Sequence, residues 1–322
     1  MKAEIPYGKP DIDLLSECTL CPRECRANRF SGRNGKCGSD AGMNIASICI
    51  HRGEEPAISG PEGICNIFFT GCNLGCIYCQ NYEISHQSRT EETSKTDFSE
   101  AIMKICGILS RGVKAVGFVS PSHVVPQVKA IIKGLNERGF RPVTVYNTNS
   151  YDKPETLRSL EGIIDVWLPD LKYVTPGLSK EFSGASDYPE TALAAIREMY
   201  YQKGSQLLTD DEGRAERGII LRHLVLPGHA AESRKVLRVI ADEISTGISI
   251  SLMSQYHPVA AVTGHPDLGR ALYRREYEEV VEEMERLGFR NGWVQDMESH
   301  LNYRPDFSRE HPFEDQSGCR TT

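Results

Sequence analysis

The chain has 322 residues, of which 39% are hydrophobic and 25% charged, a balance that is typical of globular proteins and excludes a disordered chain. Its 37 Lys and Arg residues against 44 Asp and Glu residues give a formal net charge of −7, which argues against general binding to nucleic acid backbones. No apolar stretch reaches the length of about 18 residues that predicts a membrane span, and the polar segment 1–15 does not resemble a secretory signal. We therefore expect a cytoplasmic protein whose eleven cysteines bind metal rather than form disulfides.

Residues 1–60 hold five cysteines and few apolar runs, so this region is predicted to need a metal in order to fold. Four of them, in the pattern Cys-x2-Cys-x3-Cys-x11-Cys, are predicted to form a closed four-thiolate site: Cys18, Cys21, Cys25 and Cys37. Either an auxiliary iron–sulfur cluster or zinc fits four thiolates. The charged segment 51–56 closes this region and is interpreted below.

From residue 64 onward, short apolar runs alternate with helical patterns. The runs predict strands at 66–71, 115–120, 142–148, 163–171, 218–226 and 247–255. The helical patterns lie at 98–111, 122–138, 187–202, 231–244 and 268–287. This alternation predicts an α/β fold with a parallel sheet, namely a partial (β/α)6 barrel over residues 61–288. A doubly wound sheet is the alternative, but no Gly-x-Gly-x-x-Gly follows the first strand. Residues 289–322 are expected to be a C-terminal extension without further regular structure.

The first predicted strand leads into three closely spaced cysteines, Cys72, Cys76 and Cys79, in the pattern Cys-x3-Cys-x2-Cys. Three convergent thiolates suit an iron–sulfur cluster in which one iron keeps an open position for a substrate. A zinc site completed by a distant ligand, or a set of buried thiols, would also account for the cysteines. Tyr78 precedes the third cysteine directly.

This loop resembles the signature of the radical S-adenosylmethionine (radical SAM) superfamily, Cys-x3-Cys-x-aromatic-Cys. The resemblance implies that Cys72, Cys76 and Cys79 hold a 4Fe–4S cluster whose fourth iron binds S-adenosylmethionine. It further implies one-electron reductive cleavage of that cofactor to a 5′-deoxyadenosyl radical, which abstracts hydrogen from a substrate. A low-potential electron donor such as flavodoxin or ferredoxin is the implied partner.

Polar residues follow the predicted strands, at the edge where parallel α/β folds build their active sites. Within the superfamily, the chain resembles most the PflX-like group of proteins related to pyruvate formate-lyase-activating enzymes, which share its Gly-Cys-Asn-Leu, Cys-Gln-Asn and Pro-Asp-x-Lys-Tyr segments. In characterised glycyl-radical activases, the residues matching Lys172 and Asp170 meet the methionine carboxylate and a monovalent cation respectively. The resemblance thus implies these cofactor-binding residues: Tyr78, Ser120, Ser122, Asn147, Thr148, Asn149, Asp170, Lys172 and His257.

Two departures from the family stand out. Asn147 is found where the activases have Asp in the cation site. Ser120 and Ser122 flank Pro121 where most of the superfamily has Gly-Gly-Glu-Pro, which bonds the methionine amine, so we expect a modified amine pocket. The charged segment 51–56 resembles one in the same group; a solvated surface turn is the other interpretation.

The favoured hypothesis is a radical SAM oxidoreductase of unknown substrate, with a glycyl-radical protein, a peptide or a small molecule as candidates. A zinc-stabilised, non-catalytic binding protein is the hypothesis from another class. Arg222, His223 and Tyr256 are candidates for the lining of the active-site pocket. The remaining cysteines are expected to be ordinary thiols: Cys49, Cys65, Cys106 and Cys319.

Overall fold

The computed structural model describes residues 5–32, 35–86, 96–297, 305–307, 309 and 312–313. They form a mixed α/β structure around one nine-stranded sheet. The strands are β1 Ile45–His51, β2 Ile64–Phe69, β3 Ala115–Val119, β4 Val143–Thr148, β5 Val166–Pro169, β6 Leu208–Thr209, β7 Ala215–Leu224, β8 Ser249–Met253 and β9 Gly292–Val294. The helices are α1 Lys9–Ser16, α2 Pro56–Ser59, α3 Tyr82–Ser85, α4 Phe98–Leu109, α5 Val125–Glu137, α6 Pro154–Arg158, α7 Pro176–Ser183, α8 Tyr188–Lys203, α9 Ala230–Glu243 and α10 Arg274–Arg286.

The sheet is open and mostly parallel, in the order β1-β2-β3-β4-β5-β7-β8-β9. The six strands expected from the apolar runs are all present, as β2, β3, β4, β5, β7 and β8, and each pairs in parallel with the next. β1 adds an antiparallel edge strand beside β2, and β6 pairs antiparallel with β7. The α/β prediction is therefore confirmed, and all parallel strands end at the same edge of the sheet.

The long helices follow their predicted patterns, with boundary differences that have local causes. α4 begins after Asp97, whose side chain accepts a hydrogen bond from the Ser99 amide at 2.8 Å. The helix predicted to begin at residue 268 begins instead at Arg274 (α10). The residues before it form a turn in which the His265 Nδ1 accepts the Leu268 amide at 3.0 Å.

The ends of the chain contain more regular structure than expected. β9 pairs in parallel with β8, so the prediction that no regular structure follows residue 288 is wrong. β9 has only three residues, with a single well-packed aromatic, Trp293, and such a short strand leaves no clear periodicity. Phe307 and Phe313 pack against Phe68 of β2, which ties the described part of the C-terminal extension to the opposite edge of the sheet.

Two features of the core position the site. The largest hydrophobic cluster joins the sheet to the helices, while a smaller one lies between α2 and the strands. In the smaller cluster, Ala57 and Ile58 of α2 pack with Ile64, Val145 and Ile220. This contact holds the turn before α2 against the sheet.

Two further expectations concern the remaining cysteines, as ordinary thiols, and the absence of a membrane-spanning helix. Cys49 and Cys65 are buried and Cys106 is half-buried, as ordinary thiols would be, while Cys319 lies outside the described residues. In the part of the chain that the structure describes, no helix combines the length and the apolar character needed to cross a membrane.

Candidate functional site

The three-cysteine loop leaves β2 at the carboxyl edge of the parallel strands. After β2 ends at Phe69, Gly71 adopts a φ of +80°, in the left-handed region that favours glycine. A Cβ at this position would stand 2.1 Å from the carbonyl oxygen of Cys37, so no larger residue fits. Glycine therefore allows both the sharp turn into Cys72 and close packing of the N-terminal region on that turn.

Each thiol of the loop has a polar neighbour of its own. Asn149 Nδ2 donates to Cys72 Sγ at 3.5 Å, Ser183 Oγ lies 3.0 Å from Cys76 Sγ, and Ser85 Oγ lies 3.3 Å from Cys79 Sγ. Hydrogen bonds to ligating sulfurs tune iron–sulfur centres. Asn149 was among the predicted residues. Ser183 was missed because α7 brings it to the loop from more than a hundred positions away in sequence.

Two of the three thiols, those of Cys72 and Cys79, hold their protons more tightly than free cysteines do. Burial, and then the neighbouring thiols of Cys76 and Cys79, raise the pKa of Cys72 to about 12. Burial and Cys76 likewise raise the pKa of Cys79. A bound metal deprotonates such thiols outright.

The three thiols of the loop do not converge on a position for a single metal ion. Within the described residues, no three His, Cys, Asp or Glu side chains are positioned to hold one metal ion. A 4Fe–4S cluster makes a different demand, since each thiolate binds a different iron and the sulfurs stand around the cluster. The donor set of three thiols, each with its own hydrogen-bonding neighbour, is of the kind that such a cluster uses.

Tyr78 fastens the loop to α7. Its hydroxyl is hydrogen-bonded to that of Tyr173, and the Tyr173 hydroxyl lies 3.0 Å from Ser183 Oγ. The Ile77 amide also donates to the Phe182 carbonyl at 2.9 Å. The aromatic residue before the third cysteine therefore has a structural role here: it is buried and sets the position of the loop against the helix.

The end of β4 contributes one residue to the loop and another to the interior. Asn149 Nδ2 also donates to Asn73 Oδ1 at 2.9 Å, beside Cys72. The hydroxyls of Thr148 and Ser122 lie 3.1 Å apart, and Thr148 donates to Asp152; all three of these residues are buried. Asp152 was missed. The cofactor-binding roles predicted for Ser122 and Thr148 stay predictions, but in this structure their hydroxyls bond to the protein itself.

The turn after β3, where the superfamily has its glutamate, is held from two sides. Ser120 has a φ of +50°, and its amide donates to the Asn147 carbonyl at 2.7 Å. The ring of His123 bonds through Nε2 to the Thr70 carbonyl at 3.0 Å, and Arg29 Nη1 donates to the His123 carbonyl at 2.6 Å. Burial lowers the pKa of His123 to about 4, so its ring is neutral. The N-terminal region thus braces this turn.

Asp170 lies between two cations at the end of β5. Its Oδ2 accepts a hydrogen bond from Lys172 Nζ at 2.7 Å, and its Oδ1 accepts one from Arg222 Nε at 2.8 Å. Arg222 Nη2 also donates to Asn147 Oδ1 at 2.9 Å. Burial acts to raise the pKa of Asp170, but Arg222 and Lys172 outweigh it and hold that pKa below its ordinary value. The structure thus brings together three predicted site residues with Arg222.

Two carboxylates from the N-terminal region extend this network. Glu54 Oε2 lies 3.3 Å from Arg222 Nη1, and Glu54 Oε1 accepts a hydrogen bond from Asn66 Nδ2 at 2.8 Å. Glu55 Oε1 lies 4.0 Å from Arg222, and burial raises the pKa of Glu55 despite the opposing effect of that cation. The surface-turn interpretation of segment 51–56 is therefore wrong for these two residues. Their dense charge was the available signal.

The other candidates differ in placement. His223 is buried, with Nδ1 2.6 Å from the Leu171 carbonyl and Nε2 2.8 Å from Ser233 Oγ. Tyr256 is buried, and its hydroxyl donates to a backbone carbonyl at 2.5 Å. His257 is half-buried in the segment after β8, and its predicted role near the cofactor stays a prediction.

Three of the four N-terminal cysteines, Cys18, Cys21 and Cys37, lie near a buried cation. Cys18, Cys21 and Cys37 are buried, whereas Cys25 is exposed. Arg29 is only 1% exposed and donates through Nη2 to Cys37 Sγ at 3.4 Å. Its Nε has no hydrogen-bond partner among the described residues. A buried guanidinium requires compensating negative charge, and the thiols are the groups at hand.

The two cysteine regions touch. Arg23, between Cys21 and Cys25 in the sequence, donates through Nε to the Asn73 carbonyl at 2.8 Å. Its guanidinium also lies 5.0 Å from the centre of the Tyr151 ring. Together with the contact between Cys37 and Gly71, this places the N-terminal region directly against the three-cysteine loop.

Comparison with known proteins yields little about activity. No protein-family model matches the chain. An uncharacterized protein of Methanocaldococcus jannaschii, MJ0674, is 27% identical over 296 residues, which span 88% of this chain and 81% of that protein. The likeness extends over most of both chains and brings no activity with it.

Proposed function

We propose that this protein is a radical SAM enzyme, in which Cys72, Cys76 and Cys79 hold a 4Fe–4S cluster. The observation that carries the proposal is the loop itself: three thiols with separate hydrogen-bonding neighbours, at the carboxyl edge of parallel strands. When bound, the reduced cluster supplies an electron that cleaves S-adenosylmethionine and generates a radical able to abstract hydrogen. A flavodoxin or ferredoxin fits as the electron donor in this proposal.

The curl of the sheet supports the partial-barrel form that such enzymes have. Gln80 Nε2, just after the loop, donates to the Gln255 carbonyl beyond β8 at 2.9 Å. Four strands separate β2 from β8, so in a flat sheet the two would lie about 24 Å apart. Contact between the segments after them is what a strongly curved sheet would produce. In such a partial barrel, the strand ends would surround one opening beneath the loop.

Residues of this chain would divide the work of binding between them. The Lys172 ammonium, which donates to Asp170, would bind a carboxylate such as that of methionine. Asn149 orients the Cys72 thiolate by donating to its sulfur. The Ser122 and Thr148 hydroxyls are engaged inside the protein, and the Pro121 and His123 carbonyls already accept hydrogen bonds. The Ser120 hydroxyl and the other carbonyls of the 120–123 turn are then the candidate acceptors for an amine. Burial of the surrounding strands excludes water from the reaction.

The proposal includes a second metal centre at Cys18, Cys21, Cys25 and Cys37. Four thiolates around zinc, or around an iron–sulfur cluster, carry net negative charge, which the buried Arg29 would offset. Without an anionic partner, a guanidinium as buried as that of Arg29 would cost several kcal/mol. The charge of Arg29 therefore favours an anionic metal–thiolate occupant, whichever metal it contains.

The test is anaerobic reconstitution with iron and sulfide, followed by elemental analysis and electron paramagnetic resonance. We expect iron and sulfide in equal amounts. After reduction in the presence of S-adenosylmethionine, we expect 5′-deoxyadenosine and methionine. The C72A/C76A/C79A variant then reports which metal the N-terminal site holds. An intact cluster without 5′-deoxyadenosine would overturn the enzyme proposal, and zinc without iron in the native protein would favour a zinc-stabilised binding protein.

A further inference from the structure

Arg222 binds two side-chain oxygens that, by resemblance to glycyl-radical activases, would be expected to ligate a monovalent cation. Those oxygens belong to Asp170 and to the segment that begins at Asn147. Arg222 Nε bonds Asp170 Oδ1 at 2.8 Å, and Nη2 bonds Asn147 Oδ1 at 2.9 Å. A cation ligated by these two oxygens would have to displace the guanidinium. The residues present therefore do not fit a monovalent cation.

The charges around Arg222 match those of a cation site built with different residues. Asn147 lacks the carboxylate that the activases have at that position, but Glu54 brings another, with Oε2 3.3 Å from Arg222 Nη1. Asp170 and Glu54 both bond to this permanent positive charge and Glu55 Oε1 lies 4.0 Å from it, so carboxylates face the guanidinium as they would face a monovalent ion. Asn66 fixes Glu54 by donating to its other oxygen at 2.8 Å.

The backbone holds Arg222 in this position. Arg222 lies on β7 and forms an isolated parallel bridge with Asp170, so the two residues are adjacent across neighbouring strands. Its side chain is 14% exposed, and its rigid fork makes directed bonds to three separate side chains: Asp170, Asn147 and Glu54. A spherical ion cannot impose directions in this way.

We propose that the Arg222 guanidinium takes the place of a monovalent cation and fixes Asp170, which in turn aims Lys172 into the site. Arg222 is a positioning residue, because it acts through Asp170: the two oxygens of that carboxylate bind Arg222 and Lys172 respectively. The aiming of Lys172 toward a cofactor carboxylate rests on the proposed function. The replacement of the ion does not.

The experiment compares buffers containing potassium or sodium with a tetramethylammonium buffer of equal ionic strength. In the wild-type protein, we expect equal affinity for S-adenosylmethionine and an equal melting temperature in all three. In Arg222→Ala, we expect affinity to fall by about tenfold or more in tetramethylammonium, with partial recovery in potassium or sodium. Arg217→Ala is the matched control, because Arg217 lies on the same strand but is exposed.

A second variant keeps the proposal testable without reference to the cofactor. R222A/N147D restores two acidic ligands and removes the guanidinium, so its melting temperature should rise with potassium or sodium while that of the wild type does not. Potassium dependence in the wild type would overturn the proposal, as would unchanged behaviour of R222A and R222A/N147D in every buffer. If the wild-type protein with an intact cluster does not bind S-adenosylmethionine, the proposed function fails, and the melting temperatures still decide whether Arg222 replaces an ion.

Discussion

The two cysteine regions of this molecule are in contact but are held in place by different means. The three-cysteine loop follows a buried strand, and its position is set by backbone and side-chain bonds to the sheet and to α7. In its described residues, the four-cysteine region has little regular structure beyond α1, and the thiols of Cys18, Cys21 and Cys37 lie near the buried cation of Arg29. One site is thus placed by the fold, while the other depends on its own charge balance.

This difference has a functional meaning. A metal site that must keep one coordination position open benefits from a scaffold that folds without the metal. The metal's ligands are then not needed to stabilise the fold. A closed site can instead stabilise the segment that surrounds it. We therefore expect loss of the loop thiols to affect chemistry, and loss of the N-terminal thiols to affect stability.

The largest expected effect separates the regions by activity. Cys76→Ala leaves two thiolates for the cluster, so reductive cleavage of S-adenosylmethionine should fall by about a thousandfold or more, with little change in melting temperature. Cys37→Ala should lower the melting temperature and leave measurable cleavage. Assays of 5′-deoxyadenosine beside thermal unfolding test both, and Cys106→Ala, a thiol outside both sites, is the control. The comparison fails if both variants lose activity and stability alike.

The second effect tests the charge balance of the N-terminal region. Arg29→Met should destabilise the metal-loaded protein by about 3 kcal/mol or more, because it leaves a buried anionic centre without its counter-charge. Arg29→Lys should recover part of that loss. Arg26→Met is the control, since Arg26 pairs with Glu17 on the surface and should change little. Denaturant unfolding of the loaded protein is the measurement, and equal stability of the Arg29→Met variant would contradict the role given to Arg29.

The sequence predicts the first region far better than the second. The loop motif is local, so its spacing, its aromatic residue and the strand before it all lie within a few positions. The contacts of Arg29, by contrast, connect residue 29 to residue 123, and those of Arg222 connect residue 222 to residues 54 and 147. These partners are brought together by the packing of segments that are distant in the sequence. No periodic pattern in the sequence indicates which segments will pack together.

The same distinction explains which elements of the fold were predicted. Buried parallel strands carry continuous apolar runs, so β2, β3, β4, β5, β7 and β8 were found. The edge strands β1 and β9 are short or mixed in character, and both were missed. The polar residues after the strands were placed correctly at one edge. Which of them face the opening, and which bond inward as Thr148 does, depends on side-chain contacts beyond the sequence pattern.

The third effect is a pH dependence that comes from two buried histidines of the sheet part, one of which accepts a hydrogen bond from Arg29 of the N-terminal region. Burial lowers the pKa of His123 and of His223 to about 4 each. In the unfolded chain these rings take up protons near pH 6.5, whereas in the folded protein they stay neutral down to about pH 4. Their contribution to stability is therefore fully present above pH 6.5, and it is lost as the pH falls toward 4, by on the order of 3 kcal/mol for each ring. The decline is measured as the free energy of unfolding between about pH 7 and pH 4, a range that covers the pKa values of these histidines in the unfolded and folded states. His223→Gln should reduce its slope.

The smallest effect concerns how the fold tunes the loop. Ser183 Oγ lies 3.0 Å from Cys76 Sγ and from the Tyr173 hydroxyl, so it is placed to donate to the sulfur once that thiol is a metal-bound thiolate. Ser183→Ala removes this donor, and the reduction potential of the cluster should become more negative, since the bond stabilises the reduced and more anionic state. Stability should fall by about 1 kcal/mol. Spectroelectrochemical titration measures the potential, with Ser179→Ala on the same helix as the control, because the Ser179 hydroxyl bonds only the α7 backbone. An unchanged potential would mean that the sheet and α7 position the loop without tuning its electrons.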